Sequence, residues 1–345
     1  MRILFAASPG IAVPALEELF RLHRSSPDIE LAAILTNPDR PKGRSAAPQP
    51  TDIAEAAAGL SARIADSAML AGSGKQAPAV LKPEKLDSAA RELVAQLKPD
   101  LLVSFAYGGI FGPKFLDLFP LGGINIHPSL LPKFRGPAPI PAVILAREKE
   151  TGLTIQRLAL EIDCGDILMQ ERVPLNGRET SASLSKIMAE KAAECLAFVL
   201  EGFVSGALRE GLPQNHNEAT YCPLIGKENG LLDWNKKAVE IDAMIRAYDP
   251  WPQSWTMHGD KQLFILKAEY MGNDADFSMD TQAAVSKSFP AQAGAVLGID
   301  KRQGILVQTG EGLLALRELQ YRGKKALKWD IFLHGARNFI GSRLG

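Results

Sequence analysis

Apolar residues in the first half of this chain alternate between short unbroken runs and stripes at three- and four-residue spacing. Arg2–Ala7 is a compact apolar run that breaks at Ser8-Pro9-Gly10, and Val13, Leu16 and Leu19 follow at helical spacing. Residues 31–36 repeat the strand signal and stop at Asn37-Pro38. Leu101–Phe105 does the same and ends at Tyr107-Gly108-Gly109. Strands nearly continuous in Leu, Ile, Val and Ala, alternating with helices, predict a mostly parallel sheet covered on both faces. Ligands of such sheets sit at the carboxyl ends of the strands, where Asn37, Tyr107 and the strand holding Asn125 and His127 fall. Residues 55–80, alanine-rich with Gly72-Ser73-Gly74, read as a flexible insertion.

Further along, residues 152–158 alternate as a strand, with Leu153 and Ile155 expected inward and Thr154 and Gln156 outward. Residues 180–206 form an amphipathic helical pattern whose stripe of Leu184, Ile187, Met188, Cys195, Leu196 and Val199 belongs to a core. Residues 213–220 are polar without periodicity and read as a linker, with His216 solvated. Beyond it, residues 239–248 predict a helix. Strand signals at 263–268, 293–299, 305–309 and 313–316, separated by glycine-bearing turns, predict a small barrel. The cluster Trp251-Pro252…Trp255 is expected to pack. The expected division is a catalytic domain over 1–206, a linker over 207–222 and a barrel domain over 223–345.

Composition supports two domains, because 345 residues exceed the size at which one core keeps growing. Equal numbers of basic and acidic residues, 39 each, give no global push toward a polyanion or a membrane. Residues 301–345 differ: nine Lys and Arg stand against three Asp and Glu, a local +6 that can neutralise several phosphates. Cys164, Cys195 and Cys222 are too few and too scattered for a disulfide framework or thiolate metal site, so a reducing, cytoplasmic setting is expected. The first apolar run stops at Pro9 and is read as a strand, not a secretory signal. No apolar segment approaches the ~20 residues of a membrane span.

The candidate chemistry lies between Gly123 and Leu168. Asn125 and His127 are two apart on a predicted strand and point the same way. Asp163 follows a proline-rich loop and a second strand, with Gly165 expected to supply the tight turn that presents it. An amide and an imidazole can both donate to a developing oxyanion, and a carboxylate close by can take a proton from a nucleophile through water. A metal site is disfavoured without HxxxH or CxxC, a serine triad without GxSxG, and a dinucleotide cofactor without GxGxxG after the first strand. Taken alone, these residues indicate polar transfer chemistry at a carbonyl.

The stretch INIHPSLLPKFRGPAP, with ETGLTI and IDCGDIL after it, resembles the folate-dependent formyltransferases and hydrolases. The resemblance extends to MRILFAASP and LTNPDRPKGR at the start and to GLLDWNKKAVEIDAMIRAYDPWPQSW and TGEGLLALRELQYRGKKAL near the end. It implies an α/β fold, with a Rossmann-like, mostly parallel sheet followed by a smaller OB-like β-barrel. It places the family's asparagine, histidine and aspartate on Asn125, His127 and Asp163. The implied donor is 10-formyltetrahydrofolate, held near Ser129, Leu130, Leu131 and Pro132 and near Phe105, Tyr107 and Gly108, with no metal. The implied acceptor is the α-amine of methionine on initiator tRNA. The loop with Arg40, Lys42 and Arg44 would meet the tRNA, as would Arg322, Lys324 and Lys325 in the basic C-terminal part.

The resemblance further implies a monomer away from membranes that acts in translation initiation. Asn125 and His127 would stabilise a tetrahedral oxyanion while Asp163 pairs with His127 and helps remove the amine's proton. Two departures are visible. Ser45-Ala46-Ala47 stands where the family often continues with lysines, which would cost phosphate contacts and flatten the salt dependence of binding. Pro128 stands where many members have glycine. The competing readings are a formyltransferase acting on a nucleotide-linked amino sugar, a formyltetrahydrofolate hydrolase, and an inactive folate- or RNA-binding protein.

Overall fold

The structure, a computed structural model, describes residues 1–41, 47–65, 75–208, 210–271 and 292–345. The chain divides into two compact units. One comprises Met1–Pro139, Glu150–Pro174 and Leu184–Pro223; the other comprises Ile140–Lys149, Leu175–Ser183 and Leu224–Gly345.

In chain order the first half runs β1 (Arg2–Ala7), α1 (Val13–Ser25), β2 (Glu30–Leu35), β3 (Arg40–Pro41), β4 (Pro48–Gln49) and α2 (Asp52–Ala65). It continues with β5 (Ala79–Leu81), α3 (Ser88–Gln96), β6 (Leu101–Phe105), α4 (Pro113–Leu116), β7 (Gly123–His127) and α5 (Pro139–Ala146). Then come β8 (Glu150–Arg157), β9 (Ile167–Pro174) and α6 (Ser181–Ser205). Seven strands form one sheet in the order β5-β2-β1-β6-β7-β8-β9. The pairs from β5 to β7 are parallel, and β7–β8 and β8–β9 are antiparallel.

The central strands β1 and β6 are the apolar runs read from the sequence, and every residue of β6 is buried. Local signals set the helix ends. Proline in the first turn favours the start of α1, and Arg24 lies in its last turn, where positive charge suits the helix dipole. Asp87 caps α3 by accepting from the Ala90 N–H at 3.1 Å.

Two expectations change here. Residues 55–80 are not simply an insertion: α2 runs to Ala65 with Ile53, Ala54 and Ala57 buried, and β5 adds an edge strand to the main sheet. Alanine-rich sequence suits a helix as well as it suits a linker, and burial of one face decides for the helix. Residues 66–74 lie outside the described residues. In β8, Thr154 and Gln156 are as buried as Leu153 and Ile155, because loops cover the polar face too. Met188, expected in the core, is fully buried.

The second unit carries α7 (Ala238–Ala247), β10 (Ser254–His258), β11 (Lys261–Met271), β12 (Val296–Asp300), β13 (Gly304–Gln308), β14 (Leu313–Tyr321), β15 (Leu327–Lys328) and α8 (Trp329–Gly335). Its antiparallel sheet has the order β10-β11-β14-β13-β12, with β15 beside β14. The expected barrel is not closed by strand pairing between β10 and β12. The C-terminal residues occupy those edges instead: Val296 N–H donates to Ser342 O at 2.9 Å and Gly345 N–H to Met257 O at 3.0 Å. Edge groups that closure would satisfy are thus met by the tail. Trp251 is half-exposed, and Trp234 is buried with its indole N–H donating to Thr256 Oγ1 at 3.0 Å.

Candidate active site

Strand β7 presents Asn125 and His127 on one face, and β8 lies antiparallel beside it with Gln156 opposite Asn125 and Thr154 opposite His127. Asp163 comes from the turn after β8 and meets this face. Asn125 Nδ2 donates to Asp163 Oδ1 at 3.2 Å, and Gln156 Nε2 donates to the same oxygen at 2.9 Å. Asp163 Oδ2 accepts from the Gly136 N–H at 2.8 Å and lies 3.5 Å from His127 Nδ1. The His127 and Asp163 side chains are only 6% and 9% exposed. Three donors and an imidazole nitrogen surround this carboxylate, and an acceptor-only group matches them. His127 Nε2 lies 2.8 Å from Phe134 O. A carbonyl oxygen can only accept, so Nε2 carries a proton there.

The turn geometry differs from the expected one. Asp163 itself adopts the left-handed conformation, with φ of 56°. Gly165 is required for a different reason: a Cβ at that position would collide with the carbonyl oxygen of Arg157. Strain at Asp163 is held by surrounding bonds, as the Arg157 N–H donates to Asp166 O at 2.8 Å and Gln214 Nε2 donates to the carbonyl oxygens of Asp163 and Gly165 at 2.9 and 2.7 Å.

Around the site, Ser129 is fully buried and donates to Lys133 O at 2.7 Å. Thr154 Oγ1 donates to Ser129 O at 2.7 Å and accepts from the Leu131 N–H at 3.1 Å. Ser129 therefore braces its loop, Leu131 is buried, and Leu130 and Pro132 are partly exposed. Phe105 is wholly within the sheet core, so its side chain is not available to a ligand. Tyr107 is buried and stacks on Phe111 with centroids 5.3 Å apart, and burial raises its hydroxyl above the usual value. Asn37 Nδ2 donates to Tyr107 O at 3.0 Å, which ties the end of β2 to the loop after β6. Gly108, with φ of 80°, borders open space.

Of the residues expected to meet tRNA, four are described: Arg40 in the first unit and Arg322, Lys324 and Lys325 in the second. Arg40 is exposed and pairs with Glu84 at 3.0 Å, whereas Lys42 and Arg44 lie outside the described residues. Arg322, Lys324 and Lys325 sit exposed on the turn after β14, in the second unit. Among the described residues no group of His, Cys, Asp and Glu is arranged to hold a metal ion. No described helix is long and apolar enough to cross a membrane.

Reading the sequence missed Arg135, Gln156 and Gln214. Arg135 is 1% exposed; its Nη2 and Nε donate to Gln214 Oε1 at 2.6 and 3.2 Å. Its Nη1 reaches Cys164 Sγ at 3.0 Å and the Tyr221 hydroxyl at 3.2 Å, and Nη2 lies 3.1 Å from His216 Nδ1. His216 is exposed as expected but touches this network. Periodicity gave no signal for Gln156, which falls two residues after Thr154 on the polar face of an alternating strand. Burial raises the Cys164 thiol above its usual value, and the Arg135 charge partly opposes this. No nucleophilic cysteine is indicated.

A strand-borne amide and imidazole thus meet a turn-borne carboxylate on the mixed sheet of an α/β unit. The chain belongs to the formyl transferase family: residues 1–200 match the formyl transferase domain and residues 224–337 the formyl transferase C-terminal domain. It is 45% identical to the methionyl-tRNA formyltransferase of Treponema denticola, over 99% of this chain and 98% of that protein. It is 40% identical to the methionyl-tRNA formyltransferase of Treponema pallidum, over 100% of this chain and 99% of that one. Among solved structures, the Helicobacter canadensis N-formyltransferase, in complex with folinic acid and dTDP-3-aminofucose, aligns with a TM-score of 0.60 at 19% identity. That alignment covers 91% of this chain and 98% of that one. HypX from Aquifex aeolicus in complex with tetrahydrofolic acid aligns with a TM-score of 0.59 at 17% identity, over 99% of this chain and 48% of that one. This chain thus spans about half the length of HypX, and at these identities the likeness concerns the fold.

Proposed function

We propose that this protein transfers the formyl group of 10-formyltetrahydrofolate to the α-amine of methionyl initiator tRNA, in the cytoplasm, as a step of translation initiation. The observation that carries the chemistry is the convergence of Asn125, His127 and Gln156 on Asp163. The acceptor is suggested by likeness to the Treponema enzymes across the whole chain, second unit included.

In this reading the donor lies between the braced loop at Ser129–Pro132 and the loop around Gly108, where open space borders the glycine. The neutral amine attacks the formyl carbon. Of the two hydrogens on Asn125 Nδ2, one is directed at Asp163 and the other can meet the developing oxyanion. His127 adds a second donor by exchanging Phe134 O for that oxygen, a change of partner at a single N–H. Asp163 takes a proton from the amine, directly or through one water. The new C–N bond forms, the bond from the formyl carbon to N10 breaks, and a proton returned to N10 completes tetrahydrofolate. No covalent enzyme intermediate is required.

Arg40, Lys42 and Arg44 supply contacts to the acceptor end of the tRNA, and Arg322, Lys324 and Lys325 contacts farther along its backbone. The test is to incubate the protein with 10-formyltetrahydrofolate and, separately, charged initiator tRNA, a nucleotide-linked amino sugar, and buffer. Formyl transfer to the tRNA is expected to be fastest. Transfer to the sugar or to water at a higher rate, or undiminished transfer by His127→Ala, would overturn the assignment.

A further inference from the structure

We infer that Arg135 and Gln214 are positioning residues for formyl transfer, acting through Gln156 to fix which donors face Asp163. This inference rests on the formyl-transfer reading above. Arg135 offers only donors, so Gln214 must turn its Oε1 toward the guanidinium. Its Nε2 then faces the other side, where its two hydrogens are shared among Gln156 Oε1 at 3.1 Å and the carbonyl oxygens of Asp163 and Gly165 at 2.9 and 2.7 Å. With its oxygen so occupied, Gln156 must present Nε2 to Asp163 Oδ1, as it does at 2.9 Å. A primary amide on its own can flip end for end, and a flipped Gln156 would set an oxygen against a carboxylate oxygen. The fixed polarity of the guanidinium excludes that state at one end of the chain and so at the other.

Burial supports a role beyond surface solvation. Arg135, Gln156 and Gln214 are 1%, 1% and 6% exposed. Among the described residues no carboxylate lies within ion-pairing distance of Arg135, and its recorded partners are neutral groups or an imidazole. A cation buried without a counter-ion is costly to retain. Ordering the amides next to Asp163 is a function that a hydrophobic residue could not take over. The same Gln214 Nε2 also reaches the carbonyl oxygens of Asp163 and Gly165, so the turn's backbone and its side chain are held by one group.

The test is a double-mutant cycle on the full chain with Gln214→Glu and Gln156→Met. Gln214→Glu keeps the shape and strengthens pairing with Arg135 but removes the donor to Gln156 and to the Asp163 and Gly165 carbonyl oxygens, so a purely structural role predicts lower stability with kcat per folded molecule unchanged. The relay predicts a lower kcat, because the donor to Gln156 is lost. The expected loss in kcat is between about 10-fold and 100-fold, with KM for both substrates within about twofold of the parent, the pattern of a displaced catalytic group. In the Gln156→Met background the further effect of Gln214→Glu on kcat should be much smaller than in the parent, since the amide path to the Asp163 carboxylate is already cut and only the bonds to the Asp163 and Gly165 carbonyl oxygens remain to be lost. Additive losses, or an unchanged kcat in Gln214→Glu, would overturn the inference. If Gln214→Glu does not fold, Gln156→Met alone decides, and an unchanged kcat there refutes the relay. A parent protein inactive on the tRNA but able to hydrolyse the folate would refute the proposed acceptor, and the cycle would then be read on hydrolysis. A parent inactive in both assays would overturn both proposals.

Discussion

Asn125 Nδ2 and Asp163 Oδ1 meet at 3.2 Å although 38 residues of chain separate them. The strand β8 closes this distance, because its antiparallel register sets Gln156 beside Asn125 and returns the chain to the same end of the sheet. The carboxylate's neighbours are N–H groups from β7, β8 and the Gly136 backbone.

Asp163→Asn replaces an acceptor by a group that must turn an NH2 toward one of those donors. Activity should fall by about 10²-fold or more, as for loss of a general base. Stability should fall by about 1–3 kcal/mol, the scale of a buried polar group left unsatisfied. Steady-state kinetics and urea unfolding on the same preparation check both, and a variant as stable as the parent would show that the donors are readily resatisfied.

Gly165→Ala pushes a Cβ into the Arg157 carbonyl, which is backbone and cannot swing aside. A loss of about 2–4 kcal/mol is expected, together with activity, because Asp163 is two residues away. Gly108→Ala meets nothing within 4 Å and carries only the strain of φ at 80°. That variant should lose about 1–2 kcal/mol. Thermal melts of the two proteins side by side test the ordering.

His23 supplies a pH dependence remote from the site. It is fully buried, its Nδ1 accepts from the Leu31 N–H at 3.1 Å, and burial, reinforced by Lys75 and partly opposed by Glu30, lowers its pKa. The unfolded chain therefore binds a proton more readily. Stability is fully present above the unfolded value of about 6.5 and is lost as pH falls through the lower folded value. His23→Asn keeps an acceptor for Leu31 and should flatten that acid limb in urea midpoints measured across the window. Some slope should remain from His258, whose pKa is lowered by burial and by Lys261.

Thiol labelling should discriminate the cysteines. Cys195 is buried and its thiol is pushed up to about 11 by burial, and Cys222 is buried and raised in the same direction. Cys164 is partly exposed. Mass spectrometry after brief alkylation of the folded protein should find Cys164 modified first and Cys195 only on unfolding.

Arg40→Ala should leave the melting temperature unchanged, because the pair with Glu84 is exposed on both sides, at 70% and 73%, and such pairs contribute about 0–1 kcal/mol. If Arg40 meets a phosphate, KM for the tRNA should rise and the slope of affinity against salt should drop by about one contact. A lowered melting temperature with an unchanged KM would assign Arg40 a structural role.

The sequence by itself determined the strands β1, β2, β6 and β7, the helix α6 and the same-face placement of Asn125 and His127. These rest on local periodicity, which is fixed by backbone geometry and the spacing of apolar residues. It did not decide that 52–65 is a helix, because alanine suits both a helix and a linker until a face is buried. It placed the turn's special conformation at Gly165, whereas tertiary packing puts the left-handed residue at Asp163 and reserves Gly165 for a close backbone approach. It also read Thr154 and Gln156 as solvent-facing, although loops cover that face. Arg135 and Gln214 lie 79 residues apart, and nothing local to either announces a partner. Hydrogen-bond polarity across such a distance depends on which groups face one another after folding, and only the tertiary structure decides that.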